Sequence, residues 1–391
     1  MFVNSFFKMI TVACLIFALG SCNCNHNTTL VSVVNTIDID RTEIVKVDLG
    51  ESSSSLHDVI VTDNTSGEEV LSQLIDKDKD GVFETIAFQA SLSANEAKQY
   101  KIKEEKTSFA SSEVKTFARF VPERTDDFTW ENNRVAFRVY GPKAQAMVED
   151  NIPGGTLSGG VDCWLKKVEY SIIDKWYKGN IDEPGYYHID HGEGLDNYHV
   201  GPSLGCGGTG VIEDGKLITS LNYTAYNVLT NGPLSSEFEL GYAPYVGTKH
   251  NIQEQKTVSI NLNDNFTKFE IKVDGADTLV AGITLHDNLG VVSVDSTSAW
   301  ASYWTPHKGE ELGTSIVVDP KYYAGYSHVV SDVKDKSHLL VHLKVIDGKV
   351  EYYAGFAWSG SKQYKNKEDW EDNLTKFSKR ISNPLQVEFI P

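Results

Sequence analysis

The stretch YYHIDHGEGLDNYHVGPSLGCGG, residues 186–208, gathers the side chains best suited to chemistry. His188, Asp190, His191, Glu193, Asp196 and His199 fall within it, flanked by Tyr186, Tyr187 and Tyr198, in a chain with only 11 histidines. Gly192 and Gly194 argue against a helix and let the backbone fold tightly, so neighbouring side chains can converge. In an extended chain His188 and Asp190 share one face, and Ile189 and His191 the other. Three chemistries fit. One is a divalent metal held by His188, His191 and Glu193. Another is acid–base catalysis by imidazoles titrating near neutrality, each oriented by a carboxylate. The third is a hydrogen-bonded polar loop with no reaction to perform. The density of the cluster favours a functional reading.

Other segments could supply recognition. In RVAFRVY, residues 134–140, strand alternation puts Arg134, Ala136 and Arg138 on one face. Two guanidiniums there can hold a carboxylate or sulfate, or each can pair with an acid on a neighbouring strand. SAWASYWTPHKGEELG, residues 298–313, brings Trp300, Tyr303, Trp304, His307 and Lys308 together. Such rings stack on sugar faces, and they also pack cores. DCWLKKVEYSIIDKWYKGN, residues 162–180, adds Trp164, Trp176 and Tyr177 and reads as a hairpin feeding the histidine loop. DKDKDG, residues 76–81, sets Asp76, Asp78 and Asp80 at alternate positions before a glycine. An EF-hand would need a carboxylate at its twelfth position, where Ala87 stands, so a solvated hairpin turn is favoured over bound calcium.

The formal net charge is −18, with acids spread along the chain, which opposes nucleic-acid binding. An anionic substrate must therefore be met by a local cationic site working against the overall field. At the N-terminus Lys8 precedes the apolar run MITVACLIFALG and then SC, a pattern similar to a lipoprotein signal with lipidation of Cys22. Residues 1–21 then form the signal peptide and 22–29 a tether. The expected location is the outer membrane, on its periplasmic face. Cys24, Cys163 and Cys206 make no disulfide framework; Cys163 and Cys206 are either a pair or two buried thiols. No P-loop or HExxH occurs, and the sequence requires no cofactor.

Period-two alternation dominates what must position these groups. HDVIVTD (57–63), FETIAFQA (83–90), KTVSINLN (256–263), FTKFEIKVD (266–274), LLVHLKVI (339–346) and EYYAGFAW (351–358) all read as strands between Asn, Asp and Gly turns. The expected class is all-β, built on β-sandwiches. One helix is expected over 366–382, capped by Asn366, with Trp370, Leu374 and Phe377 on one stripe. A polar stretch at 104–115 suggests an N-terminal β-rich module over 30–110 and a working domain over 111–391.

FVPERTDDFTWENNRVAFRVYGP, GGVDCWLKKV, DKWY, YHIDHGEGLDNYHVGPSLGCGG and SYWTP together resemble a Bacteroidetes family from polysaccharide-utilisation loci, formerly of unknown function, with an ulvan oligosaccharide dehydratase among its members. The resemblance covers nearly all of the chain beyond the leader; Asn133 and the insert EDNIPGGTLSG read as local variation. It implies a galactose-mutarotase-like β-supersandwich in the second domain. It also implies loss of water across C4–C5 of a non-reducing-end glucuronic or iduronic acid linked to sulfated rhamnose. Chemistry then suggests roles: His188 and His191 as base and acid, Tyr198 as acid or partner, and Asp190 or Glu193 orienting an imidazole. Arg134 and Arg138 would bind the carboxylate, and Trp176, Tyr303 and Trp304 would wall the cleft. A polysaccharide lyase, a glycan-binding lipoprotein and a mutarotase or epimerase are the competing readings.

Overall fold

The computed structural model describes residues 28–50, 58–107, 114–247 and 251–390. The leader, Cys22 and most of the tether lie outside them. Among the described residues no helix is long and apolar enough to cross a membrane.

The molecule is mostly β. Near the N-terminus, strands Thr28–Val34, Val59–Asp63 and Ala97–Glu104 belong to a five-stranded sheet facing a three-stranded one of Arg41–Asp48, Thr85–Leu92 and Ser72–Ile75. Their inward residues Val31, Val33, Val45, Val47, Ile86, Phe88 and Ile102 form a separate core. The sheet is completed from the other end of the chain, where Gln386–Ile390 pairs antiparallel with Leu30–Val34. Gln73 ties this module to the rest: its amide oxygen accepts from the Leu234 and Ser235 N–H groups at 2.9 Å, and its nitrogen donates to Ser235 O at 3.0 Å.

The larger part stacks three sheets around one core. A nine-stranded sheet includes Ser235–Tyr242, Asn251–Asn261, Phe266–Asp274, Lys349–Trp358, Glu310–Val317 and Trp300–His307. A five-stranded sheet holds Cys206–Glu213, Thr278–Thr284, Tyr323–Val329 and His338–Lys344, and another holds Asp127–Glu131, Ala136–Val139 and Asp162–Lys166. Alternation works as expected: Phe128, Trp130, Phe137, Cys163 and Leu165 enter the common core, while Asp127, Glu131, Arg138, Asp162 and Lys166 lie on the opposite face. Cys163 and Cys206 are free, buried thiols in that core.

Among the described residues three α-helices decorate the sheets: α1 (Pro142–Glu149), α2 (Ile173–Asp182) and α3 (Lys367–Ser382). In α3 the Asn366 side chain accepts from Asp369 N, and Trp370, Leu374 and Phe377 are buried against Trp300 and Trp304. The expected hairpin over 162–180 is instead a strand followed by α2. Ile172, Ile173, Trp176 and Tyr177 recur at helical spacing and pack on Trp164. Glu131 Oε1 accepts the N–H groups of Ile172 and Ile173 at 2.9 and 3.1 Å, placing a carboxylate at the helix start. Burial of Glu131 is balanced by Lys166, whose ammonium donates to Glu131 Oε2, Asn132 O and Tyr170 O at 2.7, 2.8 and 2.9 Å.

Candidate functional site

Loops at one end of the two larger sheets enclose a cleft of about 580 Å³. His199 comes from the loop before Cys206–Glu213, His286 from the end of Thr278–Thr284, His307 and Lys308 from the hairpin tip after Trp300–His307, and Lys334 and Asp335 from the loop before His338–Lys344. Imidazoles scattered through the sequence thus meet in one hollow.

Each is held differently. His199 Nε2–H donates to Asp335 Oδ2 at 3.2 Å, and half of the His199 side chain is exposed. Gly201 makes that pair possible. It lies at φ +55°, and a Cβ there would sit 2.6 Å from Asp335 Oδ2 and 2.8 Å from His199 Nε2. His307 Nε2–H donates to Asn197 Oδ1 at 2.8 Å. Burial, reinforced by the Lys308 charge, pushes the His307 imidazole down. His286 lies edge-on to Tyr198 with ring centroids 5.0 Å apart, and its Nε2 is buried without a hydrogen-bond partner. Burial, then repulsion from His199 and His307, pushes it to about 4, so it is neutral at pH 7. Lys308 and Lys334 reach the same cleft with no carboxylate partner among the described residues. The hollow therefore combines a carboxylate-oriented imidazole, two neutral imidazoles and two free ammonium groups.

The histidine loop behaves differently from the sequence reading. His188 Nδ1–H donates to the Asp196 carbonyl at 2.6 Å, and His191 stacks on Tyr186 at 4.0 Å and donates to its carbonyl at 3.2 Å. Both rings are held at the surface by backbone acceptors, and neither lines the cleft. Asp190 and Glu193 orient no imidazole. Asp190 binds Lys167 Nζ at 2.6 Å and accepts the Gly192 and Gly194 N–H groups. Glu193 accepts from Tyr170 Oη, from Lys175 Nζ at 2.6 Å and from Trp176 Nε1 at 3.3 Å, clamping the loop onto α2. His188, His191 and Glu193 do not meet as ligands. Among the described residues the group with metal-ligand convergence is Asp76, Asp78, Asp80 and Glu84, whose carboxylate oxygens lie within 4.8 Å of one another. In that turn Asp76 also accepts Lys79 N–H and Gly81 N–H at 2.6 and 3.0 Å, and Asp80 accepts Val82 N–H at 2.8 Å.

Tyr198 is buried in the core, its hydroxyl among the Cys163 and Cys206 thiols, Asp162 and Tyr140, which with burial drive it well above the usual phenol range. It supports His286 by ring contact and is no proton donor to the cleft. Trp176, on the buried face of α2, stacks on Trp164 at 5.4 Å, and Trp304 packs under α3. Next to Trp304 on the same strand, Tyr303 points the other way, into the main core. Its hydroxyl accepts from Gly290 N at 2.9 Å and donates to Leu285 O at 2.9 Å, buckling the loop that carries His286. None of these three rings lines the hollow.

The two arginines part company. Arg134 precedes its strand and donates to Asn265 Oδ1 at 3.0 Å, in a separate polar recess with Arg380 and Asp264. Arg138 is on the expected face, but the face is covered. Its Nη2 meets Asp162 at 2.5 Å and Asp196 at 2.9 Å, its Nη1 lies 3.8 Å from Asp127, and the guanidinium lies over Trp164 and Tyr187. Three buried carboxylates outnumber Arg138 and Arg124. Burial, then repulsion from Asp196, pushes Asp162 up to about 7 against the pull of Arg138. Neither arginine can reach a substrate in the cleft.

His199, His307 and Lys308 were visible in the dense sequence clusters. His286 and Asp335 were not, although each follows a strand signal in a turn-rich segment, LHDNLG and SDVKDKSH.

In fold, the chain matches two solved structures: a glycosyl hydrolase family 38 protein of Enterococcus faecalis (TM-score 0.56, 11% identity, 94% of this chain and 48% of that one) and an α-mannosidase of Enterococcus faecalis V583 (TM-score 0.52, 11% identity, 93% and 46%). It spans about half the length of these structures, and the likeness is to their galactose-mutarotase-like sandwich architecture. In sequence it is 45% identical over 366 residues to a Formosa agariphila protein called Uncharacterized protein P7, covering 92% of each chain. Residues 33–387 match the family model described as Domain of unknown function (DUF4861), and the chain belongs to that family.

Proposed function

We propose that the protein is an oligosaccharide dehydratase. It eliminates water across C4–C5 of the non-reducing-end glucuronic or iduronic acid of ulvan oligosaccharides, in which the uronic acid is joined to rhamnose 3-sulfate. The product is a 4,5-unsaturated uronyl end, the substrate class of unsaturated-uronyl hydrolases. The observation that supports this reading is the meeting of the His199–Asp335 pair with Lys308 and Lys334 in one cleft.

The C5 hydrogen is acidic only when the adjacent carboxylate is neutralised. Lys308 and Lys334 supply that charge, stabilising the dianion that forms when the proton leaves. His199 takes the C5 proton. Asp335 holds the ring in one tautomer and stabilises the imidazolium that results. The C5–H electron pair becomes the C4=C5 bond, and the C4–O bond breaks as that oxygen receives a proton and departs as water. In glucuronate the C5 hydrogen and C4 hydroxyl lie on the same face of the ring, so the His199 imidazolium can return its proton to the leaving oxygen. His286 and His307, neutral through burial, hydrogen-bond the sugar hydroxyls without adding charge. With the lipidated Cys22 expected from the sequence, the enzyme would work at the periplasmic face of the outer membrane.

The test is incubation with saturated uronyl–rhamnose-sulfate oligomers, following ultraviolet absorbance and product mass. A loss of one water without chain shortening is expected, abolished in His199→Ala. Shortened products would mean a lyase, and unchanged oligomers a binding protein; either overturns the proposal.

A further inference from the structure

The cleft does not end at His307. A second compartment of about 650 Å³ adjoins it, and Asn197, His307 and Lys308 line both. Each volume lies within the range of about 300–1,000 Å³ typical of small-molecule sites. Lys167, Asp190, Glu310, Trp358 and Lys362 complete the second space. We infer that this compartment is the subsite for the next sugar of the chain, and that Lys362 selects a sugar carrying an anionic substituent, a sulfate ester or a carboxylate. The inference rests on reading the first compartment as the reacting subsite.

Its three lysines outnumber its two acids, and among the described residues two of those lysines are unpaired. Asp190 is bound to Lys167 at 2.6 Å, and Glu310 accepts from Ser359 Oγ at 2.5 Å. Lys308 and Lys362 have no carboxylate partner among the described residues. The backbone presents both deliberately. Lys308 (φ +53°) and Gly309 (φ +91°) form a two-residue hairpin tip, with His307 paired to Glu310. Such tips normally use Asn, Asp or Gly at both positions, because positive φ disfavours other side chains. Lys362, at φ +62°, ends the Ser359–Ser361 turn, its N–H donating to Ser359 O at 3.0 Å. That turn is pinned to the neighbouring strand by Glu311 N–H, which donates to Ser359 Oγ at 2.9 Å. Gly360 packs so closely on Trp358 that a Cβ would lie 2.3 Å from the indole. Strained positions persist where their side chains serve a site, and here two strained lysines flank one hollow.

The experiment uses the full chain and three disaccharides with the same non-reducing uronic acid, whose second sugar is sulfated, carboxylated or neutral. Turnover and calorimetric binding are measured for the wild type, Lys362→Gln and Lys362→Arg. The wild type should bind at least one charged disaccharide about tenfold more tightly than the neutral one. The preference should collapse in Lys362→Gln through KM rather than kcat, and survive in Lys362→Arg. Should Lys362→Gln fail to fold, salt takes its place, because screening of exposed charges must erode the wild-type preference. No preference in the wild type, or an undiminished one in Lys362→Gln, overturns the subsite. A calorimetric preference without turnover of any disaccharide would leave the subsite standing and sink the dehydratase reading instead.

Discussion

Replacing Gly201 by alanine tests the His199–Asp335 pair without touching either residue. The added Cβ would lie 2.6 Å from Asp335 Oδ2, where ordinary contact begins at 3.4 Å, so the carboxylate must retreat by about 0.8 Å. The 3.2 Å hydrogen bond then opens to about 4 Å, beyond hydrogen-bonding range. A base displaced by about 1 Å loses on the order of 100-fold in rate, equivalent to about 2.7 kcal/mol of barrier. The left-handed backbone at φ +55° adds a stability cost of about 1–2 kcal/mol. Gly192→Ala separates the two effects: at φ +93°, with nothing within 4 Å of its Cβ, it carries the backbone strain without the collision. Both variants should lose similar stability in urea, and only Gly201→Ala should lose kcat on saturated uronyl oligosaccharide. Equal turnover in the two variants would refute the assignment of His199 and Asp335 as the working pair.

Further outcomes are expected. His199→Ala should reduce kcat by about 10²–10⁴-fold, whereas His188→Ala and His191→Ala, on surface rings, should stay within about threefold in the same assay. Glu193→Gln should loosen the loop. Burial alone would raise the Glu193 carboxyl, but hydrogen bonds from Lys175, Tyr170 and Trp176 outweigh it and hold it below its ordinary value. Its contribution is therefore present above about pH 4.3 and lost as pH falls further, so urea midpoints of wild type and variant should converge in acid. Asp162 has the opposite sign. With its folded value pushed up to about 7, the native state holds a proton that the unfolded chain releases above about pH 4, so stability declines from there to pH 7. Asp162→Asn should flatten that decline, measured by denaturation at pH 5 and pH 8. Arg138→Met should cost about 3–5 kcal/mol by leaving buried carboxylates uncompensated, with partial rescue by adding Asp162→Asn.

Much of the scaffold could be read from alternation alone. In the Ala136–Val139 and Asp162–Lys166 strands, every second residue faces a common core, which is a local property of extended backbone. The Asn366 cap and the Trp370, Leu374 and Phe377 stripe were equally local. Helix α2 is written as plainly in the i, i+3, i+4 spacing of Ile173, Trp176 and Tyr177, but its aromatics are equally at home in strands, and the hairpin expected there gave way to a helix. The cleft was the hard part. Density in the sequence pointed to His188 and His191, but proximity in sequence does not aim side chains. Asp335 reaches His199 across 136 residues, by the docking of one sheet on another. Arg138 shows the converse: its face was predicted correctly, and whether that face met water depended on α2 and the Tyr186–His188 turn.

The strand formed by Gln386–Ile390 has a bearing on how the protein is made. A ribosome delivers Leu30–Val34 early and its neighbour more than 350 residues later, so the first sandwich waits with one margin bare while the sheets between them assemble. Late truncations should therefore damage the beginning of the molecule, and a fragment ending near residue 110 should be prone to sticking to its own copies.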